Sequence, residues 1–240
     1  MNIKLTISYD GSKFFGSQKQ PGKNTVQDHL EDVLKRLGIT SNTDFSGRTD
    51  KHVHASGQVV SCIVPIFWND LTKLKDKLNY MLTSSIRISS ISEVDKNFHA
   101  RFSAKKRSYR YIISKKRLTA FNNNYMAYKD NLDLKSMQEA ANEFIGIHDF
   151  EYFSKNGSEP ISTIREIYSI KLYEYKDVIV LKFNANSYLR SQIRMIVDFL
   201  FKISSKKVSI EDLRNQLNKK KLVSWTLASP NGLYLSRINY

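Results

Sequence analysis

The stretch FSGRTDKHVHASGQVV, residues 45–60, joins a polar turn to an apolar segment. Its first part places a carboxylate, an arginine and a glycine within five residues, and residues 58–64 then have the composition of a buried strand. Polar loops held by rigid strands are frequent carriers of catalytic groups. Asp50 is therefore the leading catalytic candidate, and Arg48, two residues earlier, would keep its carboxylate ionised. The alternative is that Asp50 only forms the turn, which is the most frequent role of Asp in this setting.

The residues around this stretch alternate between strand and helix patterns. Residues 3–9 alternate apolar and polar side chains, which predicts a half-buried strand. Thr25, with Asp28 three positions later, predicts the start of an amphipathic helix. A second helix from about Asn69 and a strand over residues 86–94 complete a β-α-β-α-β order. This order is typical of ferredoxin-like or RRM-like sheets that carry helices on one face.

Residues 105–117 begin the second half with seven basic residues and no acidic one. Tyr109 and Arg110 belong to an alternating pattern that predicts a strand. Such a strand is either a solvated edge protected by its charges or an RNA-facing strand, and the overall charge favours RNA. Two long strands follow over residues 163–175 and 178–184.

A helix is predicted to start at Asn186 or Ser187, because an apolar stripe follows with helical spacing. Arg190 and Arg194 are four residues apart and would lie on one flank of this stripe. Without further information, both are most simply the polar margin of an amphipathic helix.

These patterns predict an α+β protein with two ferredoxin-like or RRM-like domains, residues 1–104 and 105–240. Their antiparallel sheets are expected to flank a basic active-site cleft, because ligand sites occur preferentially between domains.

The composition favours a nucleic-acid partner. The chain has 240 residues, and 38 Lys and Arg against 23 Asp and Glu give a net charge of +15. Such a charge is useful for neutralising phosphates. The single cysteine, Cys62, excludes an internal disulfide and fits a reducing compartment. With neither a signal peptide nor a membrane-spanning stretch in the sequence, we expect a cytoplasmic protein without membrane contact.

The sequence favours neither a metal nor a cofactor. His52 and His54 form an H-x-H pair, and a two-histidine site on one strand face is geometrically feasible. No C-x-x-C or H-E-x-x-H spacing accompanies the pair, so no metal is expected. No glycine-rich phosphate-binding motif is present either, and no nucleotide cofactor is predicted.

Residues 46–50, followed by Val53-His54-Ala55 and Gly57-Gln58-Val59, resemble the active-site motif of the TruA family of tRNA pseudouridine synthases. Further segments similar to this family occur in the same order along nearly the whole chain. They are Tyr9-Asp10-Gly11, Thr25-Val26-Gln27, residues 98–104, Tyr109-Arg110-Tyr111, His148-Asp149-Phe150, Asn186 with Arg194, and residues 230–234.

The resemblance implies a homodimer of ferredoxin-like domains that needs no metal or cofactor. It implies isomerisation of uridine to pseudouridine in the anticodon stem-loop of tRNA, at positions 38 to 40.

The resemblance also implies a role for five residues of this chain. Asp50 matches the catalytic aspartate, expected to be the nucleophile, and Arg194 matches the arginine that pairs with it. Tyr109 matches the tyrosine that stacks on the target uracil. Arg48 matches the arginine associated with extruding the base, and Leu233 matches an apolar residue near the site.

The chain departs from the family pattern near the expected site. Ser17 stands where the family usually has Trp, and Lys51-His52 replaces Ala-Gly after the aspartate. Altered RNA docking or turn geometry is expected there. Gly47 and Gly57 are expected to act as hinges of the loop that carries Asp50.

A second hypothesis is a non-catalytic RNA-binding protein with two RRM-like sheets. It requires only basic sheets, whereas an isomerase requires Asp50, Tyr109 and Arg194 to act together. RRM modules usually carry aromatic-rich strings of the K/R-G-F/Y type, and the sequence contains none.

Overall fold

The structure is a computed structural model that describes residues 1–22, 24–155, 157 and 161–240. These residues form a mixed α/β structure in which most strand pairs are antiparallel. The strands are β1 (Asn2–Tyr9), β2 (Asp44–Phe45), β3 (His54–Ile63), β4 (Ile86–Glu93), β5 (Lys106–Ser114), β6 (Ala127–Tyr128), β7 (Gly146–Asp149), β8 (Ile164–Tyr175), β9 (Val178–Ala185) and β10 (Leu233–Asn239). The helices are α1 (Val26–Arg36), α2 (Leu71–Met81), α3 (Leu134–Asn142), α4 (Gln192–Ser204) and α5 (Ile210–Leu217).

The chain divides into two compact units. The first unit comprises Met1–Lys105 and Tyr234–Tyr240, and the second comprises Lys106–Leu233. The predicted second domain ran to residue 240, whereas the structure places the last seven residues in the first unit. The reason is strand pairing, because β10 runs parallel to β3 and pairs with it at His54 and Ala55.

The first unit has the element order β1, α1, β2, β3, α2, β4. Strand β1 lies between β3 and β4 and pairs antiparallel with both. Its alternate residues Ile3, Leu5 and Ile7 are fully buried, which confirms the predicted half-buried strand. Each such side chain stabilises the fold by about 1.5–3 kcal/mol.

Helix α1 begins where the sequence predicts. Thr25 caps it by accepting a hydrogen bond from the backbone N–H of Asp28, and the Asp28 carboxylate accepts one from the Thr25 N–H. This capping box satisfies two backbone donors that a helix start leaves without partners. The apolar face, which includes Leu30 and Leu34, is buried.

Strand β3 begins at His54, four residues earlier than predicted. Gly57 therefore lies inside a strand and is not a hinge, which corrects the expectation for that residue. A Cβ atom at this position would lie 2.3 Å from the carbonyl oxygen of Ser236 in β10. The close approach of the two backbones is what requires glycine here.

The second unit has the strand order β5-β9-β8-β7, with each neighbouring pair antiparallel. A tight turn at Lys176-Asp177 joins β8 directly to β9, so no helix separates them and α4 follows β9. Two strands joined without a helix and then followed by one also occur in the first unit, as β2, β3 and α2, whereas the second unit adds β6, β7 and α5 to this pattern. One face of the sheet is closed by the unit's core, in which Tyr111, Leu181 and Phe183 are fully buried.

Helix α4 begins at Gln192, five or six residues later than predicted. Ser191 has a φ of 59°, a left-handed conformation, and the buried side chain of Gln192 accepts the N–H of Leu189 at 2.7 Å. These local bonds hold the preceding residues outside the helix. Arg190 therefore precedes α4 and is not a helical neighbour of Arg194, contrary to the prediction.

None of the helices formed by the described residues is both long and apolar enough to cross a membrane.

Candidate active site

Asp50 lies in the loop that joins β2 to β3 in the first unit, and it is partly buried. Its carbonyl oxygen accepts a hydrogen bond from the N–H of Val53 at 3.1 Å, which closes a turn. The prediction of a polar turn that enters a strand is confirmed. The backbone of Asp50 therefore takes part in the turn.

Three hydrogen bonds hold Thr49, the residue before Asp50. The Thr49 N–H donates to the hydroxyl of Ser17 at 2.8 Å, and the Ser17 N–H donates back to the Thr49 carbonyl at 3.1 Å. The phenol of Tyr9 and the Thr49 hydroxyl lie 2.8 Å apart. Ser17 is fully buried and Tyr9 nearly so, so these bonds are shielded from water. We call Tyr9, Ser17 and Thr49 the Thr49 clamp.

Burial raises the pKa of Tyr9 to about 12, while its hydrogen bonds to Thr49, Gln58 and Ser17 act in the opposite direction. The phenol is therefore neutral at physiological pH. A neutral hydroxyl can both donate and accept, which suits a structural bond to another hydroxyl.

Gln58 anchors the start of the same loop. Its side-chain amide donates to the carbonyl of Gly47 at 2.6 Å, and its carbonyl oxygen accepts the N–H of Gly47 at 3.3 Å. Gln58 is fully buried in β3, and the N–H of Ser46 donates to the carbonyl of Val59. Both peptide groups of Gly47 are thus bonded to one rigid side chain, which does not fit the predicted hinge at Gly47.

Gly16 lets the chain before Ser17 approach the loop. Its φ is +100°, and a Cβ atom there would lie 2.8 Å from the carbonyl oxygen of Thr49. A side chain is excluded on both grounds. Residues 16 and 17 therefore form a rigid support against residues 49 and 50.

Lys51 and His52 replace the usual Ala-Gly, and the structure shows a contact for the first and an unusual backbone conformation for the second. The Lys51 ammonium lies 4.3 Å from the ring centroid of Phe15, a cation–π contact. His52 has a φ of 66°, in the left-handed region that glycine adopts without cost. The family's glycine thus fits the backbone better than the histidine found here.

His54 has a structural role in the first unit. It is 2% exposed, its Nδ1 accepts the N–H of Gly11 at 3.0 Å, and its ring stacks on Tyr234 with centroids 4.6 Å apart. Nδ1 also lies 3.4 Å from the Asp10 carboxylate, but a nitrogen that accepts an amide hydrogen carries no proton for an ion pair. The H-x-H pair is therefore not arranged as two neighbours on one strand face, because His52 lies in the turn before β3.

Nor do the described residues provide a cluster of metal ligands elsewhere. Burial raises the pKa of Cys62 to about 12, so it is a buried thiol and not a thiolate ligand. Within residues 1–22, 24–155, 157 and 161–240, no group of three or more His, Cys, Asp or Glu side chains could hold a metal ion.

Tyr109 lies near the start of β5 in the second unit and is 7% exposed. It is opposite Phe183 of β9, and its ring meets Tyr188 in an edge-to-face contact with centroids 5.3 Å apart. Edge-to-face aromatic contacts hold rings in defined orientations. The ring of Tyr109 is thus fixed by its packing.

Arg194 lies in the first turn of α4 and is held through its own backbone and side chain. Its Nε donates to the carbonyl of Ala228 at 2.8 Å, and its carbonyl accepts the N–H of Ala228 at 3.1 Å. A guanidinium fixed in this way has a defined direction. Leu233, the first residue of β10, is 6% exposed and follows a short helical turn at Pro230–Gly232.

Arg48 lies two residues before Asp50 and is exposed. Asp50 and Arg48 belong to the first unit, whereas Tyr109, Arg194 and Leu233 belong to the second. Their roles remain predictions of the resemblance.

Three residues stand in the motif segments or departures without a predicted role in holding the loop: Tyr9, Ser17 and Gln58. Gln58 offered a signal, because a polar side chain interrupts an apolar strand. Ser17 offered one as well, because it departs from the family pattern, but the departure did not indicate a bond to Thr49.

The family model and three of the most similar relatives found by comparison with known proteins are all tRNA pseudouridine synthases. The family model described as tRNA pseudouridine synthase matches residues 5–103 and 140–240. The chain is 41% identical over 240 residues to tRNA pseudouridine synthase A of Campylobacter jejuni, covering 100% of both chains. It is 39% identical over 242 residues to the Helicobacter pylori protein of the same name, covering 99% of each, and 39% identical over 234 residues to that of Wolinella succinogenes, covering 98% of this chain and 92% of that one.

Among solved structures, a chain of a Cbf5–Nop10–Gar1 complex aligns with 81% of this chain and 44% of its own length. At 12% identity and a TM-score of 0.37, this likeness carries no argument about fold or function.

The family model covers well over half of the chain, including the Asp50 loop, and full-length relatives exceed 30% identity. The chain therefore belongs to the TruA family of tRNA pseudouridine synthases, isomerases that form pseudouridine in tRNA.

Proposed function

We propose that the protein converts uridine to pseudouridine in the anticodon stem-loop of tRNA, at positions 38 to 40, with Asp50 as the nucleophile. The observation that carries this proposal is the Thr49 clamp, which holds the residue next to Asp50 with three hydrogen bonds. A carboxylate on such a loop meets the requirement that a catalytic group be held in place before substrate binds. The position of the target uridines rests on the resemblance to the TruA family.

The reaction must break the N1–C1′ glycosidic bond, turn the uracil and rejoin it to the sugar through C5. The Asp50 carboxylate can attack C1′ of the sugar or C6 of the base, or it can remove the C2′ proton. All three routes need an ionised carboxylate. We assign to Arg194 the role of keeping Asp50 charged and aimed.

Tyr109 is proposed to stack on the uracil, which must stay bound while it turns. A ring with packing-defined orientation offers a preformed surface for stacking. The target uridine first leaves the helical stack, which costs a few kcal/mol. Arg48, exposed on the loop, is proposed to assist this extrusion, and Leu233 is proposed to pack near the reacting nucleotide.

The finer features of the assembly are also proposals. We propose that both units are ferredoxin-like, supported by the β-α-β-β-α-β order of the first and by the directly joined β8 and β9 between α3 and α4 in the second, and that a basic cleft receives the RNA. The resemblance supports a homodimer that works without a metal or cofactor. Because tRNA is the substrate, the cytoplasm is the proposed location.

The decisive experiment follows the hydrogen lost from C5 when the new carbon–carbon bond forms. Purified protein is incubated with tRNA tritiated at uridine C5, and release of tritium is measured. Wild type should release it, and Asp50→Ala and Asp50→Asn should not, while both variants still bind tRNA. Transcripts with cytidine at positions 38, 39 and 40 should lose the release, whereas cytidine elsewhere in the stem should not matter.

The second candidate is a non-catalytic RNA-binding protein, favoured by the net charge of +15. It would bind tRNA without releasing tritium. If Asp50→Ala released tritium at the wild-type rate, another residue would be the nucleophile, and the assignment of Asp50 would be withdrawn.

The joint action of Asp50 and Arg194 can be tested separately. The variants Asp50→Asn and Arg194→Ala and their combination should be strongly non-additive in kcat, as for residues that act as one unit. Additive losses would mean that Arg194 acts on another group.

A further inference from the structure

The sheet of the second unit has one face that is not closed by the core. Along β5, β9 and β8, the residues at one set of alternate positions point into the core, and Tyr111 and Leu181 are examples that are opposite each other. The intervening residues share the opposite face, because side chains alternate along a strand. Several large side chains there are exposed, including Tyr173 at 51% and Tyr175 at 72%.

This open face carries three basic residues in register. Arg110 of β5 is paired with Lys182 of β9, and Lys182 is paired with Lys171 of β8. Their side chains therefore stand side by side across three strands. Arg110 and Lys171 are exposed and Lys182 is half-buried. We call these three residues the basic row.

The three cations of the basic row repel one another, and no carboxylate among the described residues neutralises them. Like charges directly opposite on neighbouring strands destabilise a sheet. No ion pair to any of the three occurs among the described residues. By contrast, Lys115 and Lys116, just beyond the end of β5, pair with Glu174 and Asp177 at 2.5 and 2.7 Å. The protein thus pairs nearby lysines but leaves the row without carboxylates.

An aromatic residue adjoins the row. The next positions along the same three strands pair Ile112 with Val180 and Val180 with Tyr173, so Tyr173 lies on the open face next to Lys171. Cations beside an exposed aromatic ring suit a nucleic acid, which offers phosphates to the cations and bases or sugars to the ring.

We propose that the basic row binds the phosphate backbone of tRNA on the sheet face opposite to the one that carries Tyr109. The inference rests on the proposed tRNA substrate and extends it by assigning a second contact surface. The occupant is a polyanion because the row is uncompensated in its absence. A second copy of the chain, placed on the same face by a two-fold axis, would bring three further cations towards the first three.

The test compares two triple variants that remove the same charge. Arg110→Gln/Lys171→Gln/Lys182→Gln removes the row. The control variant changes three exposed lysines that also lack an ion pair among the described residues, Lys35→Gln/Lys77→Gln/Lys207→Gln. Binding of unmodified tRNA is measured from 50 to 300 mM salt, and each protein's unfolding temperature and oligomeric state are recorded.

Removing three phosphate contacts should lower the slope of log K against log salt by about 2 to 3, since each contact contributes about 0.7–0.9. The control should change the slope by less than 1. The row variant should also unfold at the same or a higher temperature than wild type, because the repulsion is gone. If the row variant binds RNA more weakly but is as stable as wild type, the basic row serves RNA binding and not folding.

Equal slopes for the row variant and the control would overturn the proposal. So would a change of oligomeric state in the row variant alone, since the face would then be a contact between copies. These readouts measure binding, so they remain decisive even if the tritium experiment shows that Asp50 is not the nucleophile.

Discussion

The hydroxyl of Ser17 accepts the backbone N–H of Thr49 at 2.8 Å, across 32 residues of sequence. The same serine donates its own N–H to the carbonyl of Thr49, so both peptide groups of that residue are held by Ser17. Thr49 precedes the proposed nucleophile. The serine that departs from the family pattern therefore controls the backbone from which Asp50 extends.

Ser17→Ala should lower both stability and activity. It leaves the buried N–H of Thr49 without its acceptor, which costs about 1–3 kcal/mol in the free energy of unfolding. A displaced loop should also lower kcat for tritium release by about tenfold or more, because catalysis depends on geometry at this scale. Urea denaturation and tritium release measure the two effects.

Ser89→Ala is the matched control. Ser89 is exposed, and its hydroxyl donates to the carbonyl of Thr6 at 3.1 Å. Its loss should change stability by less than about 0.5 kcal/mol. If Ser17→Ala behaved like Ser89→Ala in both measurements, the clamp would have no role in positioning Asp50.

Tyr9→Phe should change the pH dependence of stability. Burial raises the pKa of folded Tyr9 to about 12, whereas an unfolded tyrosine has a pKa near 10. Above pH 10 the unfolded chain therefore loses a proton that the folded chain keeps. The free energy of unfolding then falls with pH by about 1.4 kcal/mol per unit from this group alone.

At pH 7 the variant should be less stable than wild type by about 1 kcal/mol, because it lacks the bond to Thr49. The difference should shrink above pH 10, since Phe does not titrate. Urea denaturation at pH 7, 9 and 10.5 measures it, with Tyr80→Phe, at an 87% exposed residue, as the control. A difference that stayed constant with pH would contradict the assignment.

His52→Gly should stabilise the protein. The left-handed φ of 66° costs a non-glycine residue about 1–2 kcal/mol, and the extra freedom of glycine in the unfolded chain offsets part of this gain. A net gain of about 0.5–1 kcal/mol is expected in urea denaturation. The neighbouring change Lys51→Gly, which removes the contact with Phe15, should destabilise instead. Equal effects of the two changes would show that backbone strain at His52 is negligible.

Tyr188→Phe and Tyr111→Phe should have opposite effects on stability. The hydroxyl of Tyr188 is buried and has no hydrogen-bond partner among the described residues. Its removal should stabilise the fold by about 1 kcal/mol, because an unsatisfied buried group is costly. The hydroxyl of Tyr111 donates to the carbonyl of Ser229 at 2.8 Å, so its removal should destabilise by a similar amount.

Guanidinium denaturation of both variants, side by side, measures the difference in the free energy of unfolding. Loss of stability in both would indicate that the Tyr188 hydroxyl has a bonding partner in solution.

The sequence predicted those parts of the fold that depend on neighbours in the chain. Helix α1 starts at Thr25 as predicted, because its capping box spans only four residues. Strand β1 follows its alternating pattern, because the apolar or polar character of each residue determines whether that residue is buried.

Predictions failed where distant residues decide the outcome. Strand β3 extends back to His54, where its pairing partner in β10 lies 180 residues later in the chain. Helix α4 starts late because the buried Gln192 side chain uses the N–H of Leu189, a bond that no periodicity indicates.

For the candidate site, composition and placement made Asp50 the leading candidate beside a purely turn-forming role, and the resemblance to the TruA family supplied its partners. It missed the Thr49 clamp, because hydrogen bonds between residues 17 and 49 leave no local pattern. The left-handed turn at His52 was also not predicted, since the sequence there has no glycine to indicate it.

The discontinuous first unit has a consequence for synthesis on the ribosome. Residues 234–240, which supply β10 and the Tyr234 ring that covers His54, emerge only after all of Lys106–Leu233 has been made. At about 5–20 residues per second, this delay is of the order of ten seconds. During that time the edge of β3 at His54 and Ala55 lacks its partner and is a pairing site for other nascent chains. The loop that carries Asp50 thus leaves the ribosome early, but the unit that holds it is completed last.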